Sequence, residues 1–311
     1  MTLTQLEYLV AVDTHRHFAE AADACCVTQP TLSMQIQKLE EELGLKIFDR
    51  TKQPVIPTEL GSRVIAQART ALREAQRIPE LIRDQQHTTM GEIRIGIIPT
   101  LAPFLLPSLF KNIRERYPQV QLVVKESITE DIIRELKSDR LDCGLVVTPL
   151  NDHSIKEEVL FYEELFVYVS KRNALYDKKY VLAADLDPDE LWLLEEGHCF
   201  RSQVLNLCEL RQATALSIRY ETGNIETLKR MVDRSEGITI LPELAVREFG
   251  AAQRKRVKQL RDPRPAREVS LVTHRDHLKT RLIDLLKREI TQIVPPAMRQ
   301  LHSKKIVEIN Y

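Results

Sequence analysis

Between Thr58 and His87 the chain repeats one apolar stripe. Leu60, Val64, Ala71, Ala75, Ile78 and Ile82 fall at helical spacing with charged residues between them. A helix over that span runs about 45 Å at 1.5 Å per residue, and no neighbouring segment carries a matching long stripe. A helix from a second copy is the simplest cover, so a homodimer through this segment is expected. Pro79 marks a place where the helix is expected to kink or end early. The stripe also divides the chain. Short helical patterns precede it, and alternating strands and helices follow.

The first segment reads as short helices. Leu3, Leu6 and Val10 share one face, with Thr4 and Glu7 spaced as a capping box. Phe18, Ala21, Ala22 and Cys25 give a second helix with Cys25 inward, and Cys26-Val27-Thr28 a turn. Thr28 or Gln29 caps a third, whose first turn accepts Pro30 and whose inward face is Leu32, Ile36, Leu39 and Leu43 before Gly44 stops it. Thr31, Ser33, Met34, Gln37 and Lys38 then point outward, and Gln29 sits at the N-terminal end. Two short helices, a tight turn and a polar outer face make a helix-turn-helix, and these hydroxyl, amide and ammonium groups suit base edges and phosphates. Lys46 to Pro57 is a basic, proline-containing hairpin, in which Lys46, Arg50 and Lys52 suit a wing along a nucleic-acid backbone. The plainer reading is a three-helix packing module with solvated polar residues.

After Thr88-Thr89-Met90-Gly91 the pattern becomes α/β. Residues 92–97, 120–124, 141–147, 165–169, 191–194 and 237–241 read as strands, and 104–117, 129–138, 201–210 and 225–234 as helices. That rhythm predicts parallel sheets in two small lobes with a cleft between them. The tail after Ile293 reads as accessory. The chain's 311 residues suffice for two or three domains, and its 45 basic and 45 acidic residues say nothing about partners. No apolar run approaches the roughly 20 residues that span a bilayer. The N-terminus lacks a signal peptide's basic start and apolar core, so a cytoplasmic location is expected. Five cysteines there are buried thiols, metal ligands or redox centres rather than a disulfide scaffold. Cys25 with Cys26 lacks a second ligand pair at zinc spacing, so no metal is expected, and Cys143 reads as a buried strand thiol.

Phe18-Ala19-Glu20-Ala21-Ala22, Thr28-Gln29-Pro30-Thr31-Leu32-Ser33, Leu39-Glu40-Glu41-Glu42-Leu43-Gly44 and Ile47-Phe48-Asp49-Arg50 together resemble the LysR-type transcriptional regulators. The resemblance covers roughly residues 1 to 293, and Met34 departs from the polar or basic residue many members carry there. It implies an N-terminal all-α winged helix-turn-helix over 1–57 and a linker and dimerisation helix over 58–90. A two-lobed α/β regulatory domain like a periplasmic binding protein follows over 91–311, its second lobe about 163–267. It further implies a regulator rather than an enzyme, without cofactor. Its partners would be double-stranded promoter DNA, held by Gln29, Thr31, Ser33, Met34, Gln37, Lys38, Arg50 and Lys52, and RNA polymerase if it activates. A homotetramer is implied as well.

One stretch singles out a chemistry. Glu195-Glu196-Gly197-His198-Cys199-Phe200-Arg201 places a cysteine in a polar turn just before a helical pattern, with Cys208 nearby. A helix N-terminus favours an anion and therefore a reactive thiolate. His198 and Arg201 add donors or positive charge, whereas Glu195 and Glu196 oppose ionisation if they point inward. On the residues alone, Cys199 is equally a loop thiol and Cys208 a small core residue. This half is similar to the hydrogen-peroxide-sensing members of the family in Ile98-Pro99-Thr100, Leu141-Asp142-Cys143, Glu196-Gly197-His198-Cys199-Phe200-Arg201, Cys208 and Gly237-Ile238-Thr239-Ile240-Leu241-Pro242. The resemblance implies a peroxidatic Cys199, a resolving Cys208 and a disulfide between them. It also implies a peroxide pocket of Thr100, Thr129, His198 and an arginine that maps to Arg267, with Arg264 nearby as the alternative, and a thiol reductant such as glutaredoxin or thioredoxin. If residues 199–208 are helical, their ends lie about 13 Å apart. A disulfide needs Cα atoms roughly 4.4–6.8 Å apart, so the segment has to unwind. A regulator sensing a small metabolite in the cleft, and a thiol peroxidase, are the competing readings. No glycine-rich phosphate loop follows any strand.

Overall fold

The computed structural model describes residues 1–85, 90–194, 199–207, 224–234, 237–261, 264–302 and 304–307. The chain divides into two compact units, residues 1–88 with 276–278 and the remainder.

The first unit opens with α1 (Leu3–His15), α2 (Phe18–Ala24) and α3 (Gln29–Leu43). Leu6, Leu9, Val12, Ala21, Ala22, Leu32, Ile36 and Leu39 form its core. The capping box belongs to Thr2 and Gln5 rather than to Thr4 and Glu7. Thr2 Oγ1 accepts the Gln5 N–H at 3.2 Å, and Gln5 Oε1 accepts the Thr2 N–H at 2.9 Å. Because α1 starts at Leu3, Thr4 already lies inside the helix. Cys25 is the C-cap of α2 and, half-buried, packs against the first unit's core as its inward placement predicts; exposed Cys26 has φ 54° in the turn. Thr28 precedes α3 with an extended backbone, and Gly44 ends it at φ 66°, a left-handed position that glycine takes without a Cβ penalty. β1 (Phe48–Asp49) and β2 (Ile56–Pro57) pair antiparallel, so the unit is not wholly α. Two residues per strand are too few to display alternation in the sequence.

α4 (Glu59–Gln85) continues past Pro79 instead of ending there. Only one backbone N–H is lost at a proline, and the bonds on either side carry the helix past it. Its stripe is also less solitary than expected. Val64 and Ala71 of the stripe pack, half-buried, against the core with α1, beside the buried Ile65 and Ala68, and Arg69 Nη2 donates to Asp13 Oδ2 at 2.8 Å. Leu60 and Ile78 remain 53% and 65% exposed.

The second unit runs β3 (Gly91–Ile97), α5 (Ala102–Arg116), β4 (Val120–Glu126), α6 (Thr129–Lys137), β5 (Cys143–Thr148), β6 (Ile155–Val169), β7 (Tyr180–Val181) and β8 (Leu191–Trp192). It continues through α7 (Cys199–Leu207), α8 (Ile225–Arg234), β9 (Ile238–Pro242), α9 (Glu243–Arg247), α10 (Ala251–Arg254), β10 (Val257–Leu260), β11 (Arg264–His274), α11 (Thr280–Ile293) and β12 (Lys304–Ile306). The sheets are mixed, correcting the expectation of parallel ones. β3, β4 and β5 are parallel, but β11 lies antiparallel to both β5 and β6. β6 begins at Ile155 rather than Leu165 because it belongs to two sheets. Its first part pairs with β11, and residues 165–169 pair with β9, with β10 along the other edge. β6 therefore leaves the first lobe and β11 returns to it. Ile93, Ile95, Leu105, Leu145, Leu271 and Leu286 centre the first lobe's core. Val167, Tyr168, Phe200, Val204, Leu228 and Ile240 centre the second's. The tail is not accessory, since Met298 is buried in the first core and β12 pairs in parallel with β11. No helix among the described residues is long and apolar enough to cross a membrane.

Gly61 lies where α4 leaves the hairpin, and a Cβ there would sit 2.0 Å from the Ile47 carbonyl oxygen. Gly61→Ala is expected to destabilise the first unit by about 1–3 kcal/mol, as overpacking against backbone does. Urea unfolding measures it, and an unchanged midpoint would contradict the close approach.

Candidate functional site

The outer face of α3 follows from its inner one. Leu32, Ile36 and Leu39 are fully buried, so helical geometry sends Gln29, Thr31, Met34, Gln37 and Lys38 to the exposed side, with Ser33 half-buried at its margin. Arg50 and Lys52 are exposed on the hairpin. Arg50 reaches back, its Nη1 donating to Ser33 Oγ at 3.1 Å and its Cζ standing 4.9 Å from the Phe18 ring centroid. Wing and helix are joined by a residue that charge patterning does not reveal. Glu40 is 2% exposed, and its Oε1 accepts the backbone N–H groups of Ile47 at 2.8 Å and Phe48 at 3.3 Å. Its Oε2 takes Lys46 Nζ at 3.3 Å and Arg50 Nη2 at 3.4 Å. In the sequence Glu40 is one of three consecutive glutamates, which read as a solvated face.

The second candidate site lies where the crossing strands meet the carboxyl ends of β3 and β4. Arg267 stands opposite Glu163 in the β6–β11 register, and both side chains are fully buried. Arg267 Nε donates to Glu163 Oε2 at 2.8 Å, and Nη2 lies 2.7 Å from the same oxygen. Nη1 donates to Thr100 Oγ1 at 2.7 Å and Nη2 to the Thr100 carbonyl at 3.2 Å. Glu163 Oε1 accepts the Leu244 N–H at 2.8 Å. Burial pushes the Glu163 carboxyl above its ordinary value, opposed by the Arg267 charge and the Leu244 N–H. Of the two arginines, Arg264 is instead 39% exposed and paired with Glu164 at 2.6 Å.

Thr129 opens α6 on the strand beside Thr100's, since β3 and β4 run parallel with Ile97 opposite Glu126. Its residue is 2% exposed, and its Oγ1 finds no hydrogen-bond partner among the described residues. It does not cap α6, because the cap position is Ile128. Phe200 brings the start of α7 to this place, with the Arg267 guanidinium carbon 5.2 Å from its ring centroid. Cys199 precedes Phe200 as the first residue of the nine-residue α7. Arg201 Nη1 donates to the Leu194 carbonyl at 2.8 Å. Cys208, His198, Glu195 and Glu196 lie outside the described residues. Sequence reasoning missed Glu163, whose signal is only a buried carboxylate facing a buried arginine, and Gln203, wholly buried on α7.

The other thiols differ sharply. Cys143 is fully buried, and desolvation, reinforced by Asp142, pushes it far above an ordinary thiol. Desolvation also raises Cys25, with Glu7 adding to it.

These two sites match a known pairing of modules. The model described as "Bacterial regulatory helix-turn-helix protein, lysR family" matches residues 3–62, and "LysR substrate binding domain" matches residues 86–294. The chain belongs to the LysR family of transcriptional regulators. The "Hydrogen peroxide-inducible genes activator" of Haemophilus influenzae is 37% identical over 274 residues, which is 88% of this chain and 90% of that protein. The "DNA-binding transcriptional dual regulator OxyR" of Escherichia coli K12 is 37% identical over 246 residues, 79% of this chain and 80% of that one. The solved structure of full-length OxyR C199D from Pseudomonas aeruginosa superposes with a TM-score of 0.79 at 32% identity, covering 93% of this chain and 94% of that chain.

Two measurements check this geometry. Glu163→Leu or Arg267→Met alone is expected to cost about 3–5 kcal/mol by stranding a buried charge, and the double variant to recover most of it. Additive losses in chemical denaturation would contradict the pairing. In native alkylation followed by mass spectrometry, Cys26 is expected to react at neutral pH while Cys143 stays a protonated, unmodified thiol until the chain is unfolded.

Proposed function

We propose that this chain is a redox-regulated, DNA-binding transcription factor that senses hydrogen peroxide at Cys199. The observation that carries the reading is the contact of Phe200 with Arg267. It sets the first turn of α7 beside a guanidinium that also holds Thr100. A fixed cation, a threonine and a helix N-terminus together favour a thiolate and polarise a small dioxygen species. Thr129, with its unpartnered buried hydroxyl, and His198 complete the proposed pocket. The names of the relatives favour such a regulator over a metabolite sensor or a thiol peroxidase.

The chemistry runs in two steps. The Cys199 thiolate attacks one peroxide oxygen, the O–O bond breaks, and the departing hydroxide takes a proton to leave as water. Cys199 is then a sulfenic acid. The Cys208 sulfur attacks the Cys199 sulfur, the S–O bond breaks, and a second water leaves as the disulfide forms. Two electrons have passed from the thiols to the peroxide, and a dithiol reductant such as glutaredoxin or thioredoxin returns them. Unwinding of α7 converts that bond into a second conformation of the domain.

The readout is promoter DNA. Gln29, Thr31, Ser33, Met34, Gln37 and Lys38 face the major groove, and Arg50 and Lys52 hold the backbone from the wing. The exposed Leu60 and Ile78 on α4 seat a second copy, and dimers pair into a tetramer that engages RNA polymerase where the protein activates. Residues 1–57, 58–90 and 91–311 are the corresponding head, linker and sensor.

One equivalent of peroxide is expected to give a 199–208 disulfide on peptide mapping. It is also expected to change the mobility shift on duplexes selected from a random pool by the reduced protein. Cys199→Ser should abolish both, and Cys208→Ser should stop at a dimedone-trappable sulfenic acid. A Cys199→Ser chain that still answers peroxide would defeat the reading.

A further inference from the structure

The tail of the chain touches the redox helix. β12 adds to β11 with Lys304, Lys305 and Ile306 opposite Arg264, Pro265 and Ala266. The Val307 N–H continues the ladder, donating to the Ala266 carbonyl at 2.9 Å, one residue short of Arg267. The Val307 carbonyl in turn accepts from Gln203 Nε2 at 3.2 Å, and its side chain packs against the second lobe's core. Upstream, Met298 is buried in the first lobe's core, and Lys304 Nζ, on a side chain 8% exposed, donates to the Tyr162 carbonyl at 3.3 Å. The tail thus runs as a strap from one lobe's core to the other, and Val307 is tied to the middle of α7.

Gln203 is an unusual residue for that place. It is 0% exposed between Phe200 and Val204, which are core residues, and its Oε1 has no hydrogen-bond partner among the described residues. A buried amide with one end unsatisfied is costlier than an apolar side chain of the same shape. Among the described residues, the amide's Nε2 donates to Val307.

We propose that β12 and Val307 form a latch on α7, with Gln203 as its catch. This inference rests on the peroxide reading above. Cys199 begins α7 and Cys208 lies just beyond its last described residue, so bringing them together unwinds the helix that Gln203 anchors. The latch leaves the attack of Cys199 on peroxide untouched, because Gln203 and Val307 are not in the proposed pocket. It opposes the second step, in which the sulfenic acid becomes a disulfide. It therefore sets how much oxidant is needed before the regulator switches, and gives the reductant time to restore the thiol first.

The test uses the full chain beside two variants, Gln203→Met and a chain stopped after His302. With all three reduced, hydrogen exchange of the peptide covering α7 is expected to rise about tenfold in both variants. Dimedone trapping in a Cys208→Ser background should give Cys199 oxidation rates within about twofold of the parent. Conversion of sulfenic acid to the 199–208 disulfide should be about tenfold faster. The potential of the couple should fall by roughly 30 mV, the equivalent of tenfold for two electrons. Unchanged α7 exchange in either folded variant overturns the latch while leaving peroxide sensing intact. Equal acceleration of both chemical steps also overturns it, since that marks general loosening. If the parent forms no 199–208 bond, the peroxide reading fails, and the exchange measurement alone decides whether the tail holds α7.

Discussion

A carboxylate and a guanidinium, both removed from water, face each other where the two lobes join. The isolated desolvation of either is severe, and only close pairing with further hydrogen bonds makes it tolerable. Glu163 and Arg267 meet that requirement through the Leu244 N–H on one side and Thr100 on the other. The consequence is geometric. Arg267 cannot relax toward solvent or change rotamer without stranding Glu163, so the cation beside Thr100 and Phe200 is fixed in place. In the proposed peroxide pocket a small, uncharged oxidant would offer few contacts, and a rigid donor would compensate for their number.

The same device operates in the first unit at smaller scale. Glu40 is a buried carboxylate whose partners divide between backbone N–H groups and basic side chains of the hairpin. It satisfies two N–H groups of the hairpin and gathers Lys46 and Arg50. The basic residues of the wing and the polar face of α3 are therefore one surface, because Ser33 and Arg50 hydrogen-bond across the two elements. In both units an acidic residue inside the protein aims basic ones.

Periodicity made the helices legible. α8 lies at the bounds expected for it, and Leu32, Ile36 and Leu39 of α3 are buried as their spacing predicts, whereas Leu43, expected on the same face, is 38% exposed in the last turn. Likeness to a family motif singled out Thr100 and favoured Arg267, yet it offered no physical reason to prefer Arg267 over Arg264, since both lie within the first four residues of β11. Exposure and partner separate them, and neither is written in local sequence. Glu163 and Glu164 are adjacent and identical in type; alternation along β6 turns one inward to Arg267 and the other to Arg264. The mixed sheets were misread as parallel because β6 changes partners midway, so its two halves obey different burial patterns. Pro79 misled for another reason: one absent hydrogen bond is a local cost, and a long helix absorbs it.

The two crossing strands also constrain how such a domain can diverge. β6 and β11 pair from Ala266 to His274, with a single irregularity between Val269 and Ser270. Side chains alternate along them, so inserting or deleting one residue between that irregularity and Arg267 would turn the guanidinium to the opposite face. Loops elsewhere can lengthen at small entropic cost. This short stretch can vary in the chemistry of its residues but not in their number, which makes it the natural ruler for aligning distant members of the fold.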